Sequence, residues 1–375
     1  MVIDRNSKMP LYRQVYEYLK MLILSNHYGS SGFLPSEREL CSELQVDRAT
    51  IRRALDLLVE DNLVEKTASV GTRVKMPKTG SLAENNIMFI LPREGTKDER
   101  ITGSFNSNLF YVVERECKKR GCRVIYTTID ADETLEDCLG NDSAAGIMLI
   151  SKNRDEIYRE AQRLGIPTVL VNNYYPGFNS ILIDNVDGAY QAAKMLIESG
   201  HEKIAVIAGV PEYPASQERI TGFNRAMFEA GLDFHRYPVQ YGYWTYEGGY
   251  NCMAKLLAEY EPEEYPTAVF ALNDWSAFGA IRAVEDRGLS VPDDISVVGF
   301  NGIELPIASK HELATVKVNI DLMGRLGVEY LLMGIDSASA GTGLDYSVKI
   351  LVPTTLIKGR SVKERTHRES IAGGR

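Results

Sequence analysis

This chain lacks what membrane crossing, export and metal chemistry require. None of its 375 residues fall in a run approaching the 18 uncharged apolar residues of a spanning helix. The opening MVIDRNSKMPLYRQ has no apolar centre that could act as a secretory signal, so a cytoplasmic protein with no membrane partner is expected. Cysteine is scarce: Cys41, Cys117, Cys122, Cys138 and Cys252 are odd in number, widely spaced and free of any CxxC. The five histidines are equally scattered, which argues against both a disulfide framework and a structural zinc site. No GxSxG elbow, GxGxxG after a strand, HExxH or Walker sequence occurs, so neither an enzyme nor a bound cofactor is expected. Asp184 and Asp187 in IDNVDG suit the capping of a helix better than a metal pair.

What is present describes a globular chain, 44% hydrophobic and 25% charged. Its length exceeds the roughly 250–300 residues at which one core stops growing, so two or three domains are expected. The net charge of −9 is unevenly spread. Residues 1–78 hold 12 Lys and Arg against 10 Asp and Glu, whereas the rest hold 30 against 41. A slightly basic head precedes an acidic body.

In the head, Leu11, Val15, Tyr18, Leu19 and Leu22 repeat with the helical period. In LPSERELCSEL, Ser36 followed by Glu39 forms a capping box, and Asp47 caps a second helix, DRATIRRALDLLVEDN. Gln45 and Val46 leave room only for a tight turn, so the two helices form a helix-turn-helix. Ile51, Ala54, Leu55 and Leu58 share the core face of the second helix. Arg52 and Arg53 point away, and Arg48 occupies the first turn, where a helix entering a major groove presents base-reading residues. An arginine fork can bond guanine O6 and N7 together. VEKTASVGTRVKM then reads strand, glycine turn, strand, a wing beside the helix-turn-helix.

These segments resemble the winged-helix DNA-binding domain of the GntR family of bacterial regulators, over residues 8–76. The resemblance implies DNA contacts from Arg38, Arg48, Thr50, Arg52 and Gly71. The wing tip is shorter than is common there, with Ala68, Ser69 and Val70 before the single Gly71.

After a polar linker, 77–85, apolar runs such as IMFIL, GIMLI, TVLV, IAVIAG, AVFAL and ISVVGF alternate with amphipathic helices. This predicts an α/β body of two doubly wound parallel-sheet lobes. Ligands of such sheets bind beyond the carboxyl ends of the strands. The residues there are Asn172, Asn273, Asp274 and Asn301, with Arg219 opening a helix beyond IAVIAG. Phe105, Trp244 and Trp275 are candidates for stacking on an apolar ring face. Any one Asn or Asp after a strand is an ordinary turn former or cap; several at equivalent strand ends point to a binding cleft.

IDNVDGAYQAAKMLIESGHEKIAVIAG, ASQERITGFNRAMFEAGL and PTAVFALNDWSAFGAIRAVEDRGLSVPDDISVVGFNGIEL resemble the LacI family sensor domain, itself similar to the periplasmic sugar-binding fold. That resemblance implies effector contacts at Asn172, Arg219, Asn273, Asp274 and Asn301, and departs from the family at Asn301, where a carboxylate is usual. The expected domains are 1–76, a winged helix-turn-helix; 77–85, the linker; and 86–361, the effector body. Its first lobe would be 86–185 with 318–340 and its second 186–317 with 345–361, followed by a disordered tail, 362–375. A GntR head on a LacI-like body resembles the arabinose-repressor subgroup. A sugar-controlled repressor is implied, acting as a homodimer on double-stranded operator DNA; a solute receptor of a transport system is the alternative.

Overall fold

The computed structural model describes residues 10–24, 32–60, 63–67, 71–74, 86–93, 104–140, 144–303, 312–340 and 347–365. The chain divides into two units, Met1–Glu84 and Asn85–Arg375. The linker 77–85 and the wing tip 68–70 lie outside the described residues.

The first unit holds helices α1 (Leu11–Leu24), α2 (Glu37–Leu44) and α3 (Arg48–Glu60) and strands β1 (Val64–Thr67) and β2 (Gly71–Val74). The capping box at α2 is closed on both sides: Ser36 Oγ accepts from the Glu39 amide at 3.3 Å and Glu39 Oε2 accepts from the Ser36 amide at 2.8 Å. Gln45, at φ 52°, ends α2 in the left-handed region and turns the chain toward α3. Asp47 then accepts from the Thr50 amide at 2.9 Å and starts α3. Val15, Leu19, Leu40, Ile51, Ala54, Leu55 and Leu58 are all at most 1% exposed, so the predicted apolar stripes meet in one small core. β1 and β2 pair antiparallel from Val64↔Val74 to Thr67↔Gly71, and Phe33 adds a bridge to Arg73.

The second unit contains strands β3 (Asn86–Pro92), β4 (Arg123–Ile129), β5 (Gly146–Ile150), β6 (Thr168–Val171), β7 (Asn179–Ile183), β8 (Ile204–Ala208), β9 (Gln240–Tyr241), β10 (Ala268–Ala271), β11 (Ser296–Asn301), β12 (Ala314–Val318), β13 (Lys349–Val352) and β14 (Thr354–Ile357). Helices α4 (Ser104–Lys119), α5 (Leu135–Leu139), α6 (Asp155–Leu164), α7 (Asn185–Glu198), α8 (Pro214–Glu229), α9 (Tyr246–Glu259), α10 (Asp274–Asp286) and α11 (Ile320–Ser339) cover them. Two six-stranded sheets result, ordered β13-β7-β6-β5-β3-β4 and β14-β12-β11-β10-β8-β9. All neighbours pair parallel except β14, which runs antiparallel to β12. Central strands such as β5 and β10 are buried along their whole length, as apolar runs covered on both faces must be. No described helix is long and apolar enough to cross a membrane.

The chain passes between the lobes three times: from β7 into α7, from β12 into α11, and from β13 into β14. The last crossing corrects the expected lobe boundary. Residues 349–352 belong to the first sheet, paired from Lys349↔Ser180 to Val352↔Ile183, and only β14 joins the second. The physical reason is that β13 completes the edge of the first sheet beside β7, and Pro353 carries the chain across. A second correction concerns 362–365, expected to be disordered. The Lys363 amide donates to Ser296 Oγ at 3.0 Å and the Arg365 amide to the Ser199 carbonyl at 2.7 Å. Val362 also packs against the core, so the body continues through Arg365. The remaining tail, 366–375, lies outside the described residues.

Candidate functional site

In the first unit the chemistry lies on α2 and α3. Arg48 and Arg52 sit one helical turn apart, their side chains 68% and 56% exposed, and both reach Glu37. Arg48 Nε lies 2.7 Å and Arg52 Nε 3.1 Å from Glu37 Oε2. The Arg48 guanidinium, with Arg52 behind it, holds the Glu37 carboxyl below the usual carboxylate range. Arg38 is exposed on α2. Thr50 spends its amide and hydroxyl on Asp47, the hydroxyl at 2.8 Å. Gly71, exposed at φ 124°, opens the returning wing strand in a conformation that L side chains rarely adopt. Arg53 is turned aside, its guanidinium 4.1 Å from the Tyr12 ring.

In the second unit a cleft of about 640 Å³ opens at the carboxyl ends of both sheets. Phe105, Asn172, Arg219, Trp244, Asn273, Trp275 and Asn301 all line it. Arg219, only 4% exposed, is its most constrained side chain. Its Nε donates to Asn185 Oδ1 at 2.8 Å, one Nη to the Leu272 carbonyl, and the other to Asn301 Oδ1 at 3.4 Å. The guanidinium lies 3.6 Å from the Phe300 ring centre and 5.5 Å from that of Trp244. Burial pushes its pKa down, while Asp274 and Glu218 oppose that shift; it remains a cation at neutral pH. Asn273 lines the cleft but is already engaged, accepting from the Ser276 amide and donating to the Trp244 carbonyl at 2.7 Å. It therefore fixes the loop that carries Trp244. Gly209 leaves the space that this indole fills.

Asp274 is a correction. It does not line the cleft: fully buried, it accepts from Thr315 Oγ1 at 2.6 Å and from the Ile303 amide at 2.7 Å. Asn273 takes the cap position of α10, so the next side chain turns inward toward the ends of β11 and β12, where Gly299 leaves room for it. Burial raises its pKa to about 6 despite those hydrogen bonds.

Sequence reasoning missed several lining residues, among them Lys152, Asn185, Glu218 and Lys349. The strand-end rule applied to GIMLI and ILI finds Lys152 and Asn185, two residues beyond each run. Glu218 lies on a helix beside Arg219, and Lys349 opens an edge strand, where that rule has no purchase. Backbone strain marks the same place. Among the described residues six non-glycine residues have φ in the left-handed range, and Ser151, Asn172, Trp244 and Asn301, four of them, line the cleft. Asp184, as expected, caps α7 through the Asp187 amide. No group of three or more His, Cys, Asp or Glu among the described residues could hold a metal ion.

Residues 11–74 match the family model of bacterial regulatory proteins of the gntR family. Residues 193–362 match that of the periplasmic binding protein-like domain. The HTH-type transcriptional repressor PurR of Haemophilus influenzae strain PittEE is 38% identical over 200 residues, 53% of this chain and 58% of that repressor. The chain thus spans little more than half the length of this curated relative. PurR of Haemophilus influenzae strain Rd is 31% identical over 265 residues, covering 68% of this chain and 77% of the repressor. Among solved structures, the transcriptional regulator CelR in complex with cellobiose superposes with a TM-score of 0.65 at 23% identity, covering 84% of this chain and 92% of that one. That last likeness establishes the fold. On these matches the chain belongs to the family of the HTH-type regulator PurR, with a periplasmic-binding-protein-like body and a head of the gntR type.

Proposed function

We propose that this protein is a ligand-controlled transcriptional repressor. Its head holds double-stranded operator DNA, with Arg48 and Arg52 reading bases in the major groove and Arg38, Thr50 and Gly71 helping to position the duplex. Its cleft binds a sugar or a related polyol, and that binding releases the DNA. The observation that carries this is the presence, in one chain, of an exposed arginine pair on the second helix of a winged helix-turn-helix and of a strained, amide-rich cleft between two lobes joined by three crossings. Amides at Asn172 and Asn301 suit adjacent hydroxyls, and the faces of Phe105 and Trp275 suit the apolar side of a ring. A regulator of the same fold is known in complex with cellobiose. Two heads on a symmetric homodimer would read the two halves of a pseudopalindrome. Such a protein works as a binding switch rather than an enzyme, in the cytoplasm where the DNA is.

For the cleft to control the head, ligand must favour one conformation over the other. A coupling of about 1–3 kcal/mol changes operator affinity by roughly 5–150-fold. The test is fluorescence anisotropy of the full chain with duplexes from upstream of its own gene, at fixed salt and with non-specific competitor. Tight, competitor-resistant binding that a sugar weakens supports the proposal. Affinity no greater than for random duplex overturns it.

A further inference from the structure

The lining of the cleft is unbalanced in charge, and the imbalance bears on which ligand it takes. This step rests on the proposal that the cleft is a sugar-type effector site. Among the described residues three cations line it: Lys152 beyond the end of β5, Lys349 at the start of β13, and Arg219. Arg219 is occupied by its buried partners. Among the described residues Lys152 Nζ donates only to a neutral acceptor, the Glu212 carbonyl, at 3.3 Å. Lys349 Nζ sits 4.7 Å from the centre of the Tyr174 ring. Among the described residues neither ammonium has a carboxylate partner, although Arg93, Arg115, Arg163, Arg225 and Lys363 each do.

The acceptors point the same way. Asp274 is withdrawn beneath the floor and spent on Thr315 and Ile303. Glu218 is taken by Asn185 Nδ2 at 2.8 Å, and Glu247 stands exposed in the first turn of α9. Where a carboxylate could stand at the end of β11 there is Asn301, whose Oδ1 already accepts from Arg219. In addition α4, α7, α8, α9 and α10 begin at the cleft, and the amino ends of helices carry partial positive charge. The first turn of α8 has no side-chain cap.

Closing two lobes over a neutral ligand would strip water from two ammonium groups that neither lining carboxylate, Glu218 nor Glu247, pairs with among the described residues, which is costly. Closing them over an anion pairs those groups. We infer that the effector is a polyol bearing one anionic group, a carboxylate or a phosphate, whose charge is met by the ammonium group of Lys152 or of Lys349. Its hydroxylated body lies toward Arg219, Asn172 and Asn301.

Matched probes test this on the full chain by calorimetry and thermal shift: glucuronate, galacturonate, gluconate and glucose 6-phosphate against glucose and galactose. The expected result is that at least one acid binds and raises the melting temperature, while its neutral parent at the same concentration does not. Whether the uronates and gluconate or the phosphate ester bind separates the two sources of charge. Affinity for that acid falls about tenfold or more in Lys152→Met or Lys349→Met, as loss of a charged hydrogen-bond partner implies. The unliganded melting temperatures of these two surface variants stay unchanged. If glucose or galactose binds as tightly as the acids, or if both lysine variants keep full affinity for the acid, the charge inference is overturned while the cleft remains a sugar site. If none of the six compounds binds, both fall.

Discussion

Arginine does opposite work in the two units. Arg48 and Arg52 stand in solvent, tethered among the described residues only to the partly exposed Glu37, and can leave it for another anion at little cost. Arg219 is locked between Phe300, Asn185 and the Leu272 carbonyl, so its direction is set before any ligand arrives. The carboxylate whose charge each arginine feels follows suit. Glu37 is pulled below its ordinary pKa by the guanidiniums it meets in water, whereas burial pushes Asp274 up to about 6 even with Arg219 nearby. Arginine and carboxylate thus make a reversible surface contact in one unit and are separately bonded parts of a fixed floor in the other.

The sharpest way to break that contrast is to remove Arg219. Arg219→Ala leaves Asn185 Oδ1 and the Leu272 carbonyl without their donor in a buried place. Stability of the second unit should fall by about 3 kcal/mol. Effector binding measured by calorimetry should be lost, while operator binding without effector persists below the lowered melting temperature. Arg219→Lys, which keeps the charge but not the planar fork, should recover stability in part and binding hardly at all. Full effector affinity in either variant would make Arg219 a packing residue only.

The exposed pair predicts the reverse pattern. Arg48→Ala or Arg52→Ala should weaken operator affinity by about tenfold or more each, through the lost base contact. The melting temperature should not move, because neither side chain supports the core of Val15, Leu19, Ile51 and Leu55. Anisotropy and thermal melting on the same samples check both halves. A variant that melts early would place these arginines in the fold rather than at the interface.

Much of this was legible from residue order, for reasons that differ by element. Helical periodicity and the Ser36–Glu39 box located α2, and Asp47 located α3, because caps act within one turn. Apolar runs located β3, β5, β8, β10 and β11 because strands covered on both faces need unbroken apolar sequence. The strand-end rule reached Asn172, Asn273 and Asn301, and failed at Asp274. One residue past a helix cap the side chain can face the cleft or the floor, and Thr315 and Gly299, distant in sequence, decide which. Lys349 escaped because sheet membership of an edge strand depends on its pairing with β7, which no local pattern encodes. The order at 362–365 comes from His201 and Ser199, more than 150 residues away along the chain.

A smaller effect separates the buried charge from the exposed one by pH. The folded-state pKa of Asp274, about 6, lies above the ordinary carboxylate value. Between roughly pH 4 and 6 the folded chain therefore holds a proton that the unfolded chain has lost. Stability contributed at this site is full below pH 4 and declines as pH rises through 6, by on the order of 3 kcal/mol. His201, buried and pushed down to about 4, slopes the other way over the same range. The difference between wild type and Asp274→Asn isolates the aspartate, since both chains share His201. Denaturant unfolding at pH 4.5 and 7 should show the wild type losing stability relative to the variant as pH rises. A constant difference would mean that Asp274 stays ionised throughout.

The smallest effect probes Glu37 itself. In the proposed complex its carboxylate would compete with DNA for Arg48 and Arg52 and would also repel nearby phosphates. Glu37→Gln keeps the shape and removes the charge. Non-specific duplex should then bind a few-fold more tightly, because two guanidiniums are free and one repulsion is gone. Operator affinity should rise less, since an operator already supplies anionic and acceptor groups that displace Glu37. The specificity ratio therefore drops, and the salt dependence of non-specific binding steepens as more phosphates are neutralised. Titrations of operator and random duplex at two salt concentrations separate these terms. Equal gains on both duplexes would reduce Glu37 to a bystander in reading; a loss on the operator alone would mean that it aims the two arginines rather than restrains them.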